Sequence, residues 1–262
     1  MNQGTPIRVK TSFSLEGHRA LVTGSARGIG KAIALAFAEY GATVAVHGVH
    51  PSDALAQTLS EVRTLSPNSV AVTGDLGEPG AAALIVEAAT KGIGAPDILV
   101  VNASVQIRRP WLEVAADEAL LQMQVNFHAS LQLIQGVVPA MRQQGWGRIV
   151  TVGSVQEQRP HPDMIVYAAS KSALENLMRN LAKQIGPDGI TINNLCPGVF
   201  ATDRNAEVLA NPVYAEQVRA RIPVRGFAEP QDAAGAALLF CSEAGRYITG
   251  ITLCVDGGMS VA

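Results

Sequence analysis

Short apolar runs alternate along this chain with longer stretches in which apolar residues recur every three or four positions. Runs rich in Val, Ile and Leu near 19–23, 42–47, 69–73, 97–101, 147–153, 189–196 and 250–255 predict strands. Most are apolar throughout rather than alternating with polar residues, as in a parallel sheet buried on both faces. Helical periodicity predicts helices near 28–40, 52–65, 79–92, 117–143, 166–186 and 230–241; in the fifth, Leu174, Leu177, Met178, Leu181 and Ile185 share one side. Pro230 suits the first turn of the last helix, where a missing N–H costs nothing. Strands alternating with helices predict an α/β fold, a doubly wound parallel sheet of about seven strands with helices on both faces. No linker or repeat divides residues 1–262, which read as a single domain behind a polar tail, 1–12. The span 199–229, with Pro212 and Pro223, breaks the alternation and is placed to cover a site at the carboxyl ends of the strands.

Composition narrows the function classes. Hydrophobic residues make up 48% of the chain and charged ones 16%, enough apolar material to cover both faces of such a sheet. A formal charge of −2 and the absence of Lys/Arg runs argue against a nucleic-acid surface. Nothing approaches the apolar length that spans a bilayer, and residues 1–12 carry no signal-peptide core. Cys196, Cys241 and Cys254 lie in apolar segments without metal-ligand spacing, which predicts buried thiols, no metal and a cytoplasmic setting.

Two constellations carry chemistry. Thr23–Gly30, TGSARGIG, joins the first strand to the first helix. Gly24 suits the tight turn, Gly28 lets backbone approach a pyrophosphate, and Gly30 lets helix and strand pack closely. The helix N-terminus then offers N–H groups and partial positive charge to phosphates, which makes this a nucleotide-binding turn of Rossmann type. Far downstream, Ser154 follows the fifth strand, and Tyr167 and Lys171 stand four apart on one helix face. A phenol loses its proton near pH ~10; an adjacent ammonium favours the phenolate and brings it toward working pH, while a serine hydroxyl holds the substrate oxygen. A surface Tyr/Lys pair is the plainer account of YxxxK alone, but it loses ground beside the glycine turn.

With these motifs in order over nearly the whole chain, the sequence resembles the short-chain dehydrogenase/reductase family. The resemblance adds Asn126 to Ser154, Tyr167 and Lys171 as a catalytic tetrad, Asn126 supporting the proton relay. It implies cofactor contacts from Gly24, Ser25, Arg27, Gly28, Ile29, Gly30, His47, Gly48, Asp75, Leu76, Asn102, Ala103, Pro197, Gly198, Val199 and Thr202, together with Tyr167 and Lys171. Val255–Gly258 resembles the closing motif after the last strand. One motif departs from the family: where NNAG is usual, this chain reads Val101-Asn102-Ala103-Ser104, and a side chain at 104 narrows the room beside the cofactor ribose. The family's usual homotetramer pairs the helices at 117–143 and 166–186 about one axis and the last strand and helix about another; the apolar segment 251–262 suits such a contact.

Cofactor form and substrate follow less directly. NAD-using members place an acid at the end of the second strand, where this chain has Gly48 and then Val49. Arg27 sits where NADP-using members carry a base for the 2′-phosphate, so NADP is the favoured cofactor and NAD the alternative; His47 and His50 are candidate additional donors. Gln106-Ile107-Arg108-Arg109 and Ser154-Val155-Gln156 are similar to runs in the gluconate 5-dehydrogenase and sugar-alcohol branch. Arg108 suits a sugar-acid carboxylate, while Gln106, Gln156 and His161 suit hydroxyls. Solvated loop arginines are the simpler account of Arg108 and Arg109. The reaction implied is interconversion of a secondary alcohol and a ketone on a small-molecule substrate. A 3-oxoacyl-thioester reductase shares every motif, and a non-catalytic NADP(H)-binding sensor is the alternative of another class, though binding alone requires neither Ser154 nor Tyr167.

Overall fold

The computed structural model describes residues 9–262; of the polar tail predicted at 1–12, residues 1–8 lie outside the described residues. Seven strands, β1 (Arg19–Val22), β2 (Thr43–Gly48), β3 (Val70–Thr73), β4 (Ile98–Val101), β5 (Gly147–Val152), β6 (Ile190–Pro197) and β7 (Thr252–Val255), form one sheet. Their order is β3-β2-β1-β4-β5-β6-β7 and every pairing is parallel. The chain runs outward from β1 to β3, then returns to add β4 on the other side. Strand order therefore reverses between β1 and β4, and a crevice opens there at the carboxyl ends.

Both faces of the sheet are covered, which accounts for the unbroken apolar runs. Successive residues point to opposite sides: Ala20 and Val22 join one core, with Ile33 and Phe37 of α1 (Gly28–Glu39) and Leu238 and Phe240 of α9 (Gln231–Cys241). Leu21 and Leu99 join the other, with Ile85 of α3 (Ala81–Ile93), Leu133 of α5 (Ala129–Gln144) and Met178 of α6 (Ile165–Ile185). Fully burying one such side chain contributes about 1.5–3 kcal/mol. The second helix of the chain, α2 (Asp53–Leu65), is capped by the Ser52 hydroxyl, which accepts from the Leu55 N–H.

The single helix expected at 117–143 is three segments: α4 (Ala116–Met123), a π-helical turn Gln124–His128, and α5. The segment 199–229, which breaks the strand–helix alternation, carries α7 (Asp203–Leu209) and α8 (Pro212–Ala220). Pro212 sits in the first turn of α8 and the Asn211 side chain caps it.

Candidate active site

The glycine turn is built by close packing at the switch point. Gly24 has φ +63°, and a Cβ there would come within 2.8 Å of Ala103 Cα, so both backbone and space require glycine. At Gly30 a Cβ would stand 2.5 Å from both Asn102 Nδ2 and Gly24 O. Thr23 Oγ1 accepts from the N–H groups of Asn102 (3.0 Å) and Ala103 (3.1 Å) and donates to Val100 O (3.1 Å), riveting the ends of β1 and β4 together. Asn102 Nδ2 donates to Thr23 O and Gly24 O, so the surviving asparagine of the altered motif braces the turn. No side chain caps α1, and Gly28 and Ile29 line the cleft beside its first turn. That arrangement suits a pyrophosphate.

The cleft encloses about 850 Å³. Ser154 follows β5 and caps the 3₁₀ turn Val155–Glu157, its Oγ accepting from the Gln156 N–H at 3.2 Å. Tyr167 and Lys171 stand one turn apart on α6, both buried and both lining the cleft. Lys171 Nζ donates to Val152 O at 2.6 Å and lies 5.7 Å from the centre of the Tyr167 ring. Burial pushes the Tyr167 phenol above its ordinary value, opposed chiefly by the Arg204 charge and then by a hydrogen bond with Ser154. Burial brings Lys171 itself down to about 7, Arg204 adding to the effect and Glu157 opposing it. Asn126 lies in the π turn, behind the cleft wall. Its Oδ1 accepts from the Val105 N–H (2.8 Å), and its Nδ2 donates to Val105 O (2.9 Å) and Ser170 Oγ (3.0 Å). Such wider turns recur at functional sites, and this one seats α4 and α5 against the segment after β4.

Most residues implied as cofactor contacts line the cleft: Gly24, Arg27, Gly28, Ile29, His47, Gly48, Asp75, Leu76, Asn102, Ala103, Pro197, Gly198, Val199 and Thr202. Ser25 and Gly30 are not among the lining residues; Ser25 is wholly buried, donating to Val22 O and accepting from the His47 N–H. His47 is a second correction. Its Nδ1 accepts from the Gly24 N–H at 3.0 Å and its Nε2 lies 3.0 Å from Gly74 O, so both ring nitrogens are committed to holding the turn. Burial lowers its pKa, keeping the ring neutral. Arg27 reaches Asp203 of α7 at 3.5 Å, an exposed pair that also ties α7 to the glycine turn. Asp75 Oδ1 accepts from the Gly77 N–H within its own turn.

The four tentative substrate residues, Gln106, Arg108, Gln156 and His161, all line the same cleft, with Gln156 Oε1 accepting from the His161 N–H. Sequence reading missed Arg204, Tyr214 and Arg221, which α7, α8 and the residue after α8 bring to the cleft. Arg204 Nη2 donates to the backbone carbonyl of Ser104 at 2.9 Å, tying α7 to the segment after β4. Arg204 lies only two residues past Thr202, but its role depends on a helix that the apolar pattern does not reveal.

A glycine turn at a topological switch point, opposite a serine, tyrosine and lysine in one cleft, defines a dinucleotide-binding oxidoreductase. Comparisons with known proteins bear this out. A family model described as Enoyl-(Acyl carrier protein) reductase matches residues 24–260. The L-rhamnose 1-dehydrogenase (NAD(P)(+)) of Sphingomonas sp. is 33% identical over 248 residues, covering 94% of this chain and 98% of that protein. The gluconate 5-dehydrogenase of Gluconobacter oxydans is 34% identical over 251 residues, covering 95% and 97%. Among solved structures, a 3-oxoacyl (acyl-carrier-protein) reductase from Agrobacterium tumefaciens with NADP bound superposes with a TM-score of 0.91 at 36% identity, covering 96% and 97% of the two chains. The chain belongs to the short-chain dehydrogenase/reductase family and is an oxidoreductase of CH–OH groups that uses a nicotinamide dinucleotide.

Proposed function

We propose that this enzyme interconverts a secondary alcohol and a ketone on a sugar acid or polyol, with NADP(H) as the favoured cofactor. The observation that carries the reading is the polar, cationic wall of Gln106, Arg108, His161 and Arg204 in the same cleft as Tyr167. Hydroxyls and carboxylates match such a wall better than an acyl chain does. Bound nicotinamide supplies the hydride acceptor or donor. The residues that would hold the cofactor are the glycine turn at its pyrophosphate, Arg27 at a 2′-phosphate, Asp75 and Leu76 at the adenine, Lys171 at a ribose, and Pro197–Thr202 at the nicotinamide.

In this reading Ser154 Oγ orients the substrate oxygen while Tyr167 Oη takes its proton during oxidation and returns it during reduction. Arg204 and Ser154 offset the burial that otherwise holds the phenol protonated. Asn126 fixes the helix bend that seats α6 through Ser170. Turnover is tested on a panel of sugar acids, polyols and 3-oxoacyl thioesters, followed at the nicotinamide absorbance with each cofactor. Tyr167→Phe is expected to lower kcat by at least about a hundredfold with little change in cofactor affinity. Wild-type turnover by that variant, or turnover confined to acyl thioesters, overturns the reading.

Three unpaired thiols favour a reducing, cytoplasmic setting, and no helix among the described residues is long and apolar enough to cross a membrane. Exposed apolar side chains on α4 and beside β7 favour a homotetramer.

A further inference from the structure

Glu157 is a long acidic side chain folded back beneath the catalytic strand end, and the mechanism above gives it no task. Its Oε1 accepts from the Ser154 N–H at 3.0 Å and its Oε2 accepts from Asn194 Nδ2 at 3.0 Å. The first bond closes a capping box with Ser154, the second ties the turn to β6. Asn194 is itself held, its Oδ1 accepting from Thr151 Oγ1 at 2.8 Å. Room for the carboxyl exists because residue 153 is glycine: a Cβ there would collide with Glu157 Oε1. The neighbouring charges are unequal. Lys171 on α6 is the cation acting on the carboxyl; Glu175 and Tyr167 on the same helix and the Cys196 thiol on β6 are acidic groups.

We propose that Glu157 is a positioning residue: its carboxylate pins the backbone of Ser154 and ties it to Asn194 of β6, so that the site is fully assembled only when Glu157 is ionised. The inference rests on the dehydrogenase reading and names the group that tunes the same site. Burial raises Glu157 to about 7, with Ser154, Lys171 and Asn194 pulling the other way. Its folded pKa exceeds the unfolded one, so the fold loses stability as pH rises through about 7 while the carboxylate acquires its role. Opposite signs for stability and activity separate this assignment from a merely structural one.

The test compares Glu157→Gln with wild type. Glutamine keeps an acceptor for the Ser154 N–H and never ionises, while its amide nitrogen gives up the bond from Asn194 Nδ2 at every pH. On the best substrate of the panel, the wild-type advantage in kcat is expected to grow from near unity at acidic pH to about tenfold at alkaline pH. KM for the cofactor should stay flat, and the stability difference should move in the variant's favour as pH rises through about 7. A constant rate ratio across pH, or a stability difference that does not move with pH, overturns the proposal. A measurement without turnover guards against a substrate panel that fails. The amide resonance of Ser154 in ¹⁵N-labelled protein with NADP⁺ should titrate near neutrality in wild type and not in Glu157→Gln. An amide that ignores pH in both proteins refutes the assignment whatever the substrate. A titrating amide with no turnover on any substrate of the panel leaves Glu157 in place and rejects the sugar-acid and polyol reading.

Discussion

At the residue scale the site is decided by which partner each polar group has already chosen. Arg27 shares its charge with Asp203 at 3.5 Å, both side chains being about three-quarters exposed. An exposed pair of this kind contributes roughly 0–1 kcal/mol, less than the roughly 1.5–3 kcal/mol of a hydrogen bond to a charged group. A 2′-phosphate can therefore displace the aspartate. Arg27→Ala is expected to weaken NADPH binding about ten- to a hundredfold and to leave NADH nearly unchanged. Asp203→Asn should shift NADPH the other way by a few fold, since it removes a competing anion; titrations of nicotinamide fluorescence read both. Equal losses for the two cofactors would assign Arg27 to bracing the turn. The glycines and the Ser–Tyr–Lys set were legible in the chain because their chemistry depends on local spacing. The commitment of His47 was not, since Gly74 lies 27 residues away and only strand pairing brings its carbonyl to the ring.

At the scale of elements, α7 is the piece that joins cofactor and substrate ends of the cleft. Its first turn sends Asp203 to Arg27 and Arg204 to Ser104 O, while Asn205 Nδ2 donates to Phe200 O at 2.9 Å. Arg204 has no carboxylate partner among the described residues, so its charge is available to an anionic substrate. Arg204→Ala is expected to lower kcat/KM for a sugar acid by about ten- to a hundredfold and for the matching sugar alcohol far less. Equal losses on the two would mean that Arg204 acts through the Tyr167 phenol instead. The sheet strands and long helices could be predicted because each buries a continuous apolar stripe. Helices α7 and α8 cover a cleft rather than a core, and in α8 only Ala215 is buried, so no apolar stripe marks it, though Asn211-Pro212 is a legible helix start. The π turn at Gln124–His128 has no local signal, for neither Pro nor Gly interrupts it. Its setting comes from Asn126 grasping the backbone of Val105, a contact made only after the fold exists.

For the whole molecule, apolar surface is the remaining question. Leu120 on α4 is 70% exposed, Tyr247 before β7 is 99% exposed and Val261 beyond it 87%. Exposed apolar groups on α4 and on the segments flanking β7 fit assembly about two axes. Light scattering at micromolar concentration is expected to give about four times the chain mass of 27.4 kDa; a monomer would refute the assembly. The order of events during synthesis follows from the strand order. β1 is made first yet is an interior strand, with β2 pairing to it early, β3 adding beyond β2, and β4 available only later. The wall at Pro197-Gly198 comes later still: the Gly198 N–H donates to Val255 O of β7, and Arg159 donates to the carbonyls of Met259 and Ala262. A nascent chain on the ribosome can thus gather its nucleotide-binding half while the catalytic half is unfinished. The cleft closes only when β7 has left the exit tunnel, so a ribosome-bound chain lacking that strand carries a phosphate turn without a working enzyme.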